Sequence, residues 1–160
     1  MGDWLAEDEQ QTWRSVLRMQ ARLTAALAQA LKTDSDVSIS DYEVLAILSE
    51  APGGVLRARE LRCALQWEKS RLAHHIGRME RRGLVRRDVC TDDRRAPLIC
   101  LTAAGLATIR AAAPAHAARV RELFFAALTP AQRRAMRDAA DTVLENLARH
   151  DVTASTDDAC

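Results

Sequence analysis

The sequence lacks any apolar run that approaches the roughly 18 residues needed to span a bilayer, and its acidic N-terminus is not typical of a signal peptide. Aromatic residues make up only 4% of the chain, while alanine and arginine are abundant, which favours helices over sheet. We therefore predict a mainly helical, cytoplasmic protein without a membrane partner.

The chain also lacks the residue patterns of an enzyme or a metal site. It has no glycine-rich phosphate loop and no motif that pairs a nucleophile with a general base. His116 and His150 are too isolated to suggest metal binding, and the cysteines have neither Cys-x-x-Cys nor Cys/His zinc spacing. The cysteines are Cys63, Cys90, Cys100 and Cys160. We expect no catalytic residues, no metal, no cofactor, and a reducing compartment.

What the chain does have is a concentration of positive charge at its centre. The segment from Arg57 to Arg95 contains twelve basic and six acidic residues, a net charge of +6. The other eleven basic and sixteen acidic residues leave the remainder of the chain at −5. A basic centre within an acidic surround indicates a localised site for a polyanion.

Residues 67–85 have the strongest functional pattern. Leu72, Ile76 and Met79 recur at helical spacing and define an apolar inner face. The outer face is small, polar and basic, and comprises Ser70, Arg71, His74, Gly77, Arg78 and Arg81. Such a face fits the DNA major groove, where arginine and small polar side chains reach phosphates and base edges. An ordinary solvated helix would show the same pattern. Gly83 is expected to end the helix.

Two helices are predicted at the start of the chain. Residues 9–31 contain no proline or glycine and have a wide apolar stripe, which indicates one long helix that the polar residues 32–36 break. Ser40 and Glu43 have the spacing of a capping box for a second helix, and residues 51–54 end it with turn-forming glycines and a proline.

The central segment has the layout of a winged helix-turn-helix. Residues 55–56 are too short for more than one bridge pair, and residues 59–65 are predicted to form a short third helix before the basic one. Residues 84–90 and 98–101 then form a hairpin with a basic tip, the wing.

The C-terminal third is predicted to be helical. Thr102 caps a helix that reaches about residue 128, and Pro114 is expected to bend or divide it. Thr129 and Pro130 start a last helix that ends near residue 150.

Four segments give the chain a family resemblance. They are residues 41–45 (Asp-Tyr-Glu-Val-Leu), 78–87 (Arg-Met-Glu-Arg-Arg-Gly-Leu-Val-Arg-Arg), 92–96 (Asp-Asp-Arg-Arg-Ala) and 101–105 (Leu-Thr-Ala-Ala-Gly). With these motifs the chain resembles the MarR family of bacterial transcriptional regulators, over about residues 13–150. The Asp-x-Arg wing tip followed by Leu-Thr-x-x-Gly is the most specific part.

The resemblance implies a domain plan and a function. Residues 1–36 would be an N-terminal dimerisation helix, 37–101 the DNA-binding domain, 102–150 the C-terminal dimerisation helices and 151–160 a flexible tail. The resemblance further implies a homodimeric regulator, usually a repressor, that binds a palindromic operator in double-stranded DNA. A ligand or redox signal would change its DNA affinity.

Carried over onto this sequence, the expected DNA contacts lie on the fourth helix and at the wing tip. They are Lys69, Ser70, Arg71, Ala73, His74 and Arg78 on the helix, and Asp92, Arg94 and Arg95 at the tip. Asp92 is expected to position Arg94. An arginine at the tip can enter the narrow minor groove, where the negative potential is enhanced. His75 is expected to be packed or at the boundary of the core.

The effectors of this family are small aromatic or phenolic molecules, bound between the dimerisation helices and the winged domain. Trp13, Arg14 and Tyr42 are predicted to border that space, although packing in a helical core is the more common role of a single aromatic residue. Two alternatives remain. Cys90 and Cys100 would face each other in a redox switch if the hairpin centres near Arg95, or the winged helix could serve as a non-enzymatic interaction module.

Overall fold

Six α-helices and three short strands form the described part of the chain, residues 4–88 and 97–151 of this computed structural model. The helices are α1 (Glu7–Ser35), α2 (Ile39–Glu50), α3 (Ala58–Leu65), α4 (Lys69–Arg81), α5 (Ala103–Leu123) and α6 (Pro130–Asp151). The strands are β1 (Val55–Arg57), β2 (Val85–Asp88) and β3 (Leu98–Leu101). The predicted mainly helical fold with a small β-hairpin is confirmed. None of the described helices combines the length and apolarity needed to cross a membrane.

The first helix is longer than predicted. The polar residues 32–35 continue it instead of breaking it, and Lys32 forms an ion pair with Asp36 at its C-terminal end. The helix ends only at Asp36, which adopts a left-handed conformation (φ 52°). Leu31 is buried with Ala112 of α5, and Arg119 of α5 reaches Asp34 at 3.3 Å. The C-terminal part of α1 is therefore packed onto α5.

The second helix begins two residues before the predicted position. Ser38, not Ser40, is the N-cap, and its hydroxyl accepts a hydrogen bond from the backbone N–H of Asp41 (3.0 Å). Both serines have an acidic residue three positions later, so the sequence alone did not distinguish them. Val44, Leu45 and Leu48 then point into the centre of the core.

A third strand joins the predicted hairpin. The chain turns through Gly53 and Gly54, both with positive φ, and this turn brings β1 beside β3. The sheet is antiparallel with the order β1-β3-β2, and β1 forms three residue pairs with β3. The prediction of at most one bridge pair was therefore wrong, because it considered only the strand's length and not its distant partner.

Pro114 does not divide α5, which runs through it and ends at Leu123 rather than near residue 128. The caps predicted at Thr102 and Thr129 are confirmed. The Thr102 hydroxyl accepts from the N–H of Gly105 (3.0 Å), and at α6 the Thr129 hydroxyl accepts from the N–H of Gln132 (3.3 Å). The predicted flexible tail lies almost entirely outside the described residues.

The proposed pairing of Cys90 with Cys100 across the hairpin does not fit the strand register. Cys100 lies opposite Arg86 on β2, and it is a buried free thiol whose Sγ is 3.4 Å from Asp88 Oδ2. Burial, followed by the hydrogen bond to Asp88, raises the pKa of the Cys100 thiol, which disfavours the reactive thiolate. Cys90 and Cys160 lie outside the described residues.

Candidate nucleic-acid interface

The fourth helix presents its predicted polar face to solvent. Leu72, Ile76 and Met79 are buried in the core and fix the helix on the domain. The exposed side chains of α4 include all six that the sequence assigned to DNA contact: Lys69, Ser70, Arg71, Ala73, His74 and Arg78. The structure therefore brings these side chains together on one accessible surface, which we call the α4 face.

The turn after α4 has the geometry that Gly83 predicted. Gly83 has φ +72°, its N–H donates to Glu80 O, and the N–H of Leu84 donates to Met79 O. This pair of hydrogen bonds is a Schellman motif. Leu84 is buried, so the chain enters β2 in a defined direction.

Two arginines of the α4 face are held by neighbouring side chains. The guanidinium of Arg71 lies 4.2 Å from the centre of the Trp67 ring, a cation–π contact. Arg78 Nη2 lies 2.7 Å from Nδ1 of His75. Both cations are thereby oriented while their outer edges stay open to solvent.

Arg87 of β2 connects the wing to α4. Its guanidinium donates to the carbonyl of Ala73 (2.8 Å), and its backbone N–H donates to Glu80 (3.0 Å). The guanidinium of Arg87 also lies 3.6 Å from the carboxylate of Glu80, a longer ion-pair contact. Helix and wing strand therefore have a fixed relative position. The tip residues Asp92, Arg94 and Arg95 lie outside the described residues.

A buried pair of polar side chains, Asp41 and His75, connects α2 with α4. Asp41 and His75 are only 4% and 6% exposed, and His75 Nε2 lies 3.1 Å from Asp41 Oδ1. The carboxylate acts on His75 mainly through its negative charge. Arg82 donates to the other carboxylate oxygen at 2.7 Å.

The two buried groups have shifted pKa values. Burial would raise the pKa of Asp41, but the hydrogen bonds from Arg82 and Ser38 outweigh it, and the pKa is lowered. Burial is also the largest influence on His75, whose pKa is lowered although Asp41 opposes the change. At neutral pH the pair is therefore a carboxylate beside a neutral imidazole.

The sequence pattern placed His75 at the edge of the core but did not reveal its partners. Asp41 is 34 positions away along the chain, and only the tertiary packing brings the two together. Arg87 likewise counted only as one of the basic residues. Arg87 lies opposite Ile99 in the hairpin, and its backbone N–H points to Glu80. This position could have been predicted only if the register of the strands had been known.

A cavity of about 520 Å³ lies between α1, α2, α3 and α5. Its apolar wall includes Leu27, Ile47 and Leu65. The polar lining comprises Thr24, Tyr42, Glu43, Glu50 and His116. Of the three residues predicted to border a ligand, Tyr42 lines this cavity, whereas Trp13 and Arg14 lie elsewhere on α1.

His116 is the most unusual group in the cavity. Its ring packs on Tyr42 with 4.3 Å between centroids, and its buried Nδ1 has no hydrogen-bond partner. Burial lowers the pKa of His116, and burial followed by the charge of Glu50 raises the pKa of Tyr42. Both rings are therefore neutral at physiological pH. No cluster of three metal-ligating side chains occurs within the described ranges.

Known proteins share this architecture. The MarR family model matches residues 37–96, while no curated protein matches the chain. AbsC, a MarR family transcriptional regulator from Streptomyces coelicolor, is 39% identical, with 92% of this chain and 99% of AbsC covered and a TM-score of 0.86. Sco3205 from the same organism, solved in complex with DNA, is 34% identical over 92% of both chains, with a TM-score of 0.86.

A more distant relative is the transcriptional regulator MOSR from M. tuberculosis, also solved in complex with DNA. It is 27% identical, covers 84% of this chain and 95% of its own, and has a TM-score of 0.68. The identity to AbsC and Sco3205 extends over nearly the whole chain and includes the winged helix and both terminal helices. This chain belongs to the MarR family of transcriptional regulators.

Proposed function

We propose that the protein is a homodimeric repressor that binds a palindromic operator through the α4 face and the wing. The observation that carries the proposal is the exposed α4 face, whose two best-placed arginines are held by Trp67 and His75. Fixed arginines lose less conformational freedom on binding and can form bidentate contacts with guanine or phosphate. The DNA complexes of Sco3205 and MOSR support this reading.

The individual roles follow from chemistry and position. Arg71 and Arg78 are proposed base or phosphate contacts, and Ser70 and His74 supply shorter polar groups between them. Lys69, at the N-terminal end of the helix, fits a phosphate, and Ala73 provides an apolar contact for a thymine methyl. From the family resemblance, Arg94 keeps its proposed minor-groove role, Asp92 is proposed to position it, and Arg95 is proposed to join the wing contacts.

Dimerisation is proposed from the terminal helices. Trp13, Val16 and Leu17 of α1 and Leu144 and Leu147 of α6 are exposed, although large apolar side chains are costly to leave in water. Trp13 is three and four residues from Val16 and Leu17, and Leu144 is three residues from Leu147, so each set lies along one side of its helix. Residues 1–36 and 102–150 are therefore proposed as the dimerisation segments and 37–101 as the DNA-binding segment.

Binding to the DNA that flanks the protein's own gene tests the proposal. Fluorescence anisotropy at fixed salt should show one duplex per two chains and an affinity at least about a thousandfold above that for unrelated DNA. Footprinting should protect two half-sites about one helical turn apart. Equal, weak binding to both DNAs at every salt concentration would instead support an interaction module.

A small aromatic effector is proposed for the cavity, because an apolar wall with a few convergent polar groups is typical of ligand sites. Its described lining contains two carboxylates and no lysine or arginine. Negatively charged ligands would therefore be repelled, whereas a phenol or an amine can donate to Glu43, Glu50 or the unpartnered His116 Nδ1. We infer a neutral or cationic aromatic ligand.

Two probes of nearly equal size test the sign of the ligand charge. Tyramine and 4-hydroxyphenylacetate share a phenol but have opposite charges, and their effects on operator affinity and thermal unfolding can be compared. Tyramine should act at lower concentration, and a double change of Glu43→Gln and Glu50→Gln should remove the difference. Stronger action of the carboxylate, retained in that variant, would contradict the inferred charge.

A further inference from the structure

The geometry points to His75 as a positioning residue for DNA recognition. Held between Asp41 and Arg78, it fixes the guanidinium of Arg78 on the α4 face, and its protonation releases that guanidinium and weakens operator binding. The inference rests on the proposed function, because it assumes that Arg78 contacts DNA.

The contact between Arg78 and His75 determines the tautomer of the histidine. An arginine has only donors, so Nδ1 of His75 must present its lone pair to Nη2 of Arg78 at 2.7 Å. The ring proton then lies on Nε2, 3.1 Å from Asp41 Oδ1. The negative charge of Asp41 favours this arrangement, as a carboxylate does for other oriented histidines.

The surroundings keep the imidazole in one orientation. The Trp67 ring meets it edge to face, with 5.2 Å between centroids, and the Arg71 guanidinium lies over the Trp67 ring. Arg82 holds the Asp41 carboxylate at 2.7 Å. Among the described residues no carboxylate forms an ion pair with Arg78, so His75 is its side-chain anchor.

Protonation would convert this anchor into a repulsive contact. A proton on Nδ1 faces the donors of Arg78, and the imidazolium gains a positive charge beside Arg71 and Arg78 that Asp41, already paired with Arg82, offsets only in part. The ring cannot move into water without disturbing the core around Trp67. Arg78 is the exposed partner, so Arg78 loses its fixed position.

The sign of the pH effect separates this inference from a simple charge effect. Adding positive charge to a DNA-binding helix by itself strengthens attraction to phosphates. The positioning role predicts the opposite, a loss of operator affinity as the pH falls below the ordinary histidine range near 6.5. Burial lowers the pKa of His75, so the loss occurs on the acid side of that value.

The test measures operator affinity between about pH 8 and pH 5 at fixed salt for wild type, His75→Leu, His75→Gln and Asp41→Asn. His75→Leu removes the acceptor and should weaken binding about tenfold at pH 8, within the range for one good contact. His75→Gln restores an acceptor and should recover most of that loss, without the acid-dependent decrease. Asp41→Asn removes the charge that favours the imidazolium, so the acid midpoint should move to lower pH.

An acid-dependent loss that is the same in His75→Gln and wild type, or wild-type binding that strengthens in acid, would overturn the positioning role. The absence of any operator preference in wild type at pH 8 would instead refute the proposed function, and the positioning role with it. Nitrogen NMR of the DNA-free protein gives a separate readout, since a proton on Nδ1 of His75 at pH 8 contradicts the assigned tautomer.

Discussion

At the scale of single residues, arginines of similar sequence context have different structural positions. Arg71 and Arg78 contact Trp67 and His75 and remain exposed to solvent, whereas the guanidinium of Arg87 donates a hydrogen bond to the Ala73 carbonyl. Arg82 pairs with the buried Asp41. Charge counting in the sequence treated all four alike, because their difference depends on partners outside the local segment.

Replacement of Arg78 with alanine should weaken operator binding by about 1–3 kcal/mol and relax the base preference at one position of each half-site. Arg149→Ala removes the same charge from the side of α6 opposite its apolar stripe and should have little effect. Anisotropy titrations at several salt concentrations separate the two contact types, since loss of a phosphate contact lowers the salt slope by about one per site. Unchanged affinity and slope in the Arg78 variant would remove this residue from the interface.

Acid should destabilise the fold in part through His116. The unfolded chain binds a proton on this histidine near pH 6.5, whereas burial lowers the pKa of His116 in the folded protein. Its contribution to stability is therefore complete above about pH 6.5 and is lost as the pH falls through the folded value. His116→Phe keeps a ring against Tyr42 and should reduce the difference between urea unfolding free energies measured at neutral and acid pH. An undiminished difference would show that His116 ionises freely in the folded protein.

At the scale of elements, the sequence predicted whatever depends on neighbouring residues. The caps at Thr102 and Thr129 and the stop at Gly83 involve contacts within a few positions, so the local pattern was sufficient. The start of α2 was ambiguous because two serines offered the same local pattern. The third strand and the Asp41–His75 contact depend on residues more than thirty positions apart, and no local pattern encodes them.

The Leu-Thr-x-x-Gly motif acquires a structural explanation at this scale. Thr102 caps α5, and its hydroxyl also lies 2.7 Å from the Gly83 carbonyl at the end of the α4 turn. A Cβ on Gly105 would lie 2.1 Å from the Leu84 carbonyl oxygen, so only glycine permits this close approach. The motif therefore packs the start of α5 against the turn that follows α4.

Two glycine-to-alanine substitutions should have opposite effects on stability. Gly105→Ala forces a side chain against a backbone oxygen and should destabilise the protein by about 1–3 kcal/mol or more. Gly77→Ala lies inside α4, where the new Cβ meets its nearest atom at an ordinary 3.6 Å, and should stabilise by about 0.5–1 kcal/mol. Chemical denaturation measures both differences. Equal effects on the free energy of unfolding would mean that the backbone at Gly105 and Leu84 moves apart without loss of stability.

At the scale of the whole molecule, the single chain leaves large apolar side chains of α1 and α6 exposed to solvent. Leu144 is 61% exposed and Trp13 is 55% exposed, and both belong to helices whose other faces are polar. The sequence predicted these helices as a dimerisation unit from the family resemblance, and their exposed stripes support that proposal without testing it. The core itself is centred on the winged helix, where α2, α3, α4 and the sheet meet.

Leu144→Glu combined with Leu147→Glu should convert the dimer into a folded monomer. The two carboxylates would have to be desolvated in the proposed interface, whereas the winged-helix core does not contain either position. Because each chain then supplies one α4 face, operator affinity should fall by at least about a hundredfold through the loss of linked binding. Thr142→Glu, on the opposite side of α6, adds a carboxylate outside the stripe and should leave the dimer intact. Light scattering and anisotropy on the same samples measure mass and affinity together. A double variant that stays dimeric and keeps its affinity would place the interface elsewhere.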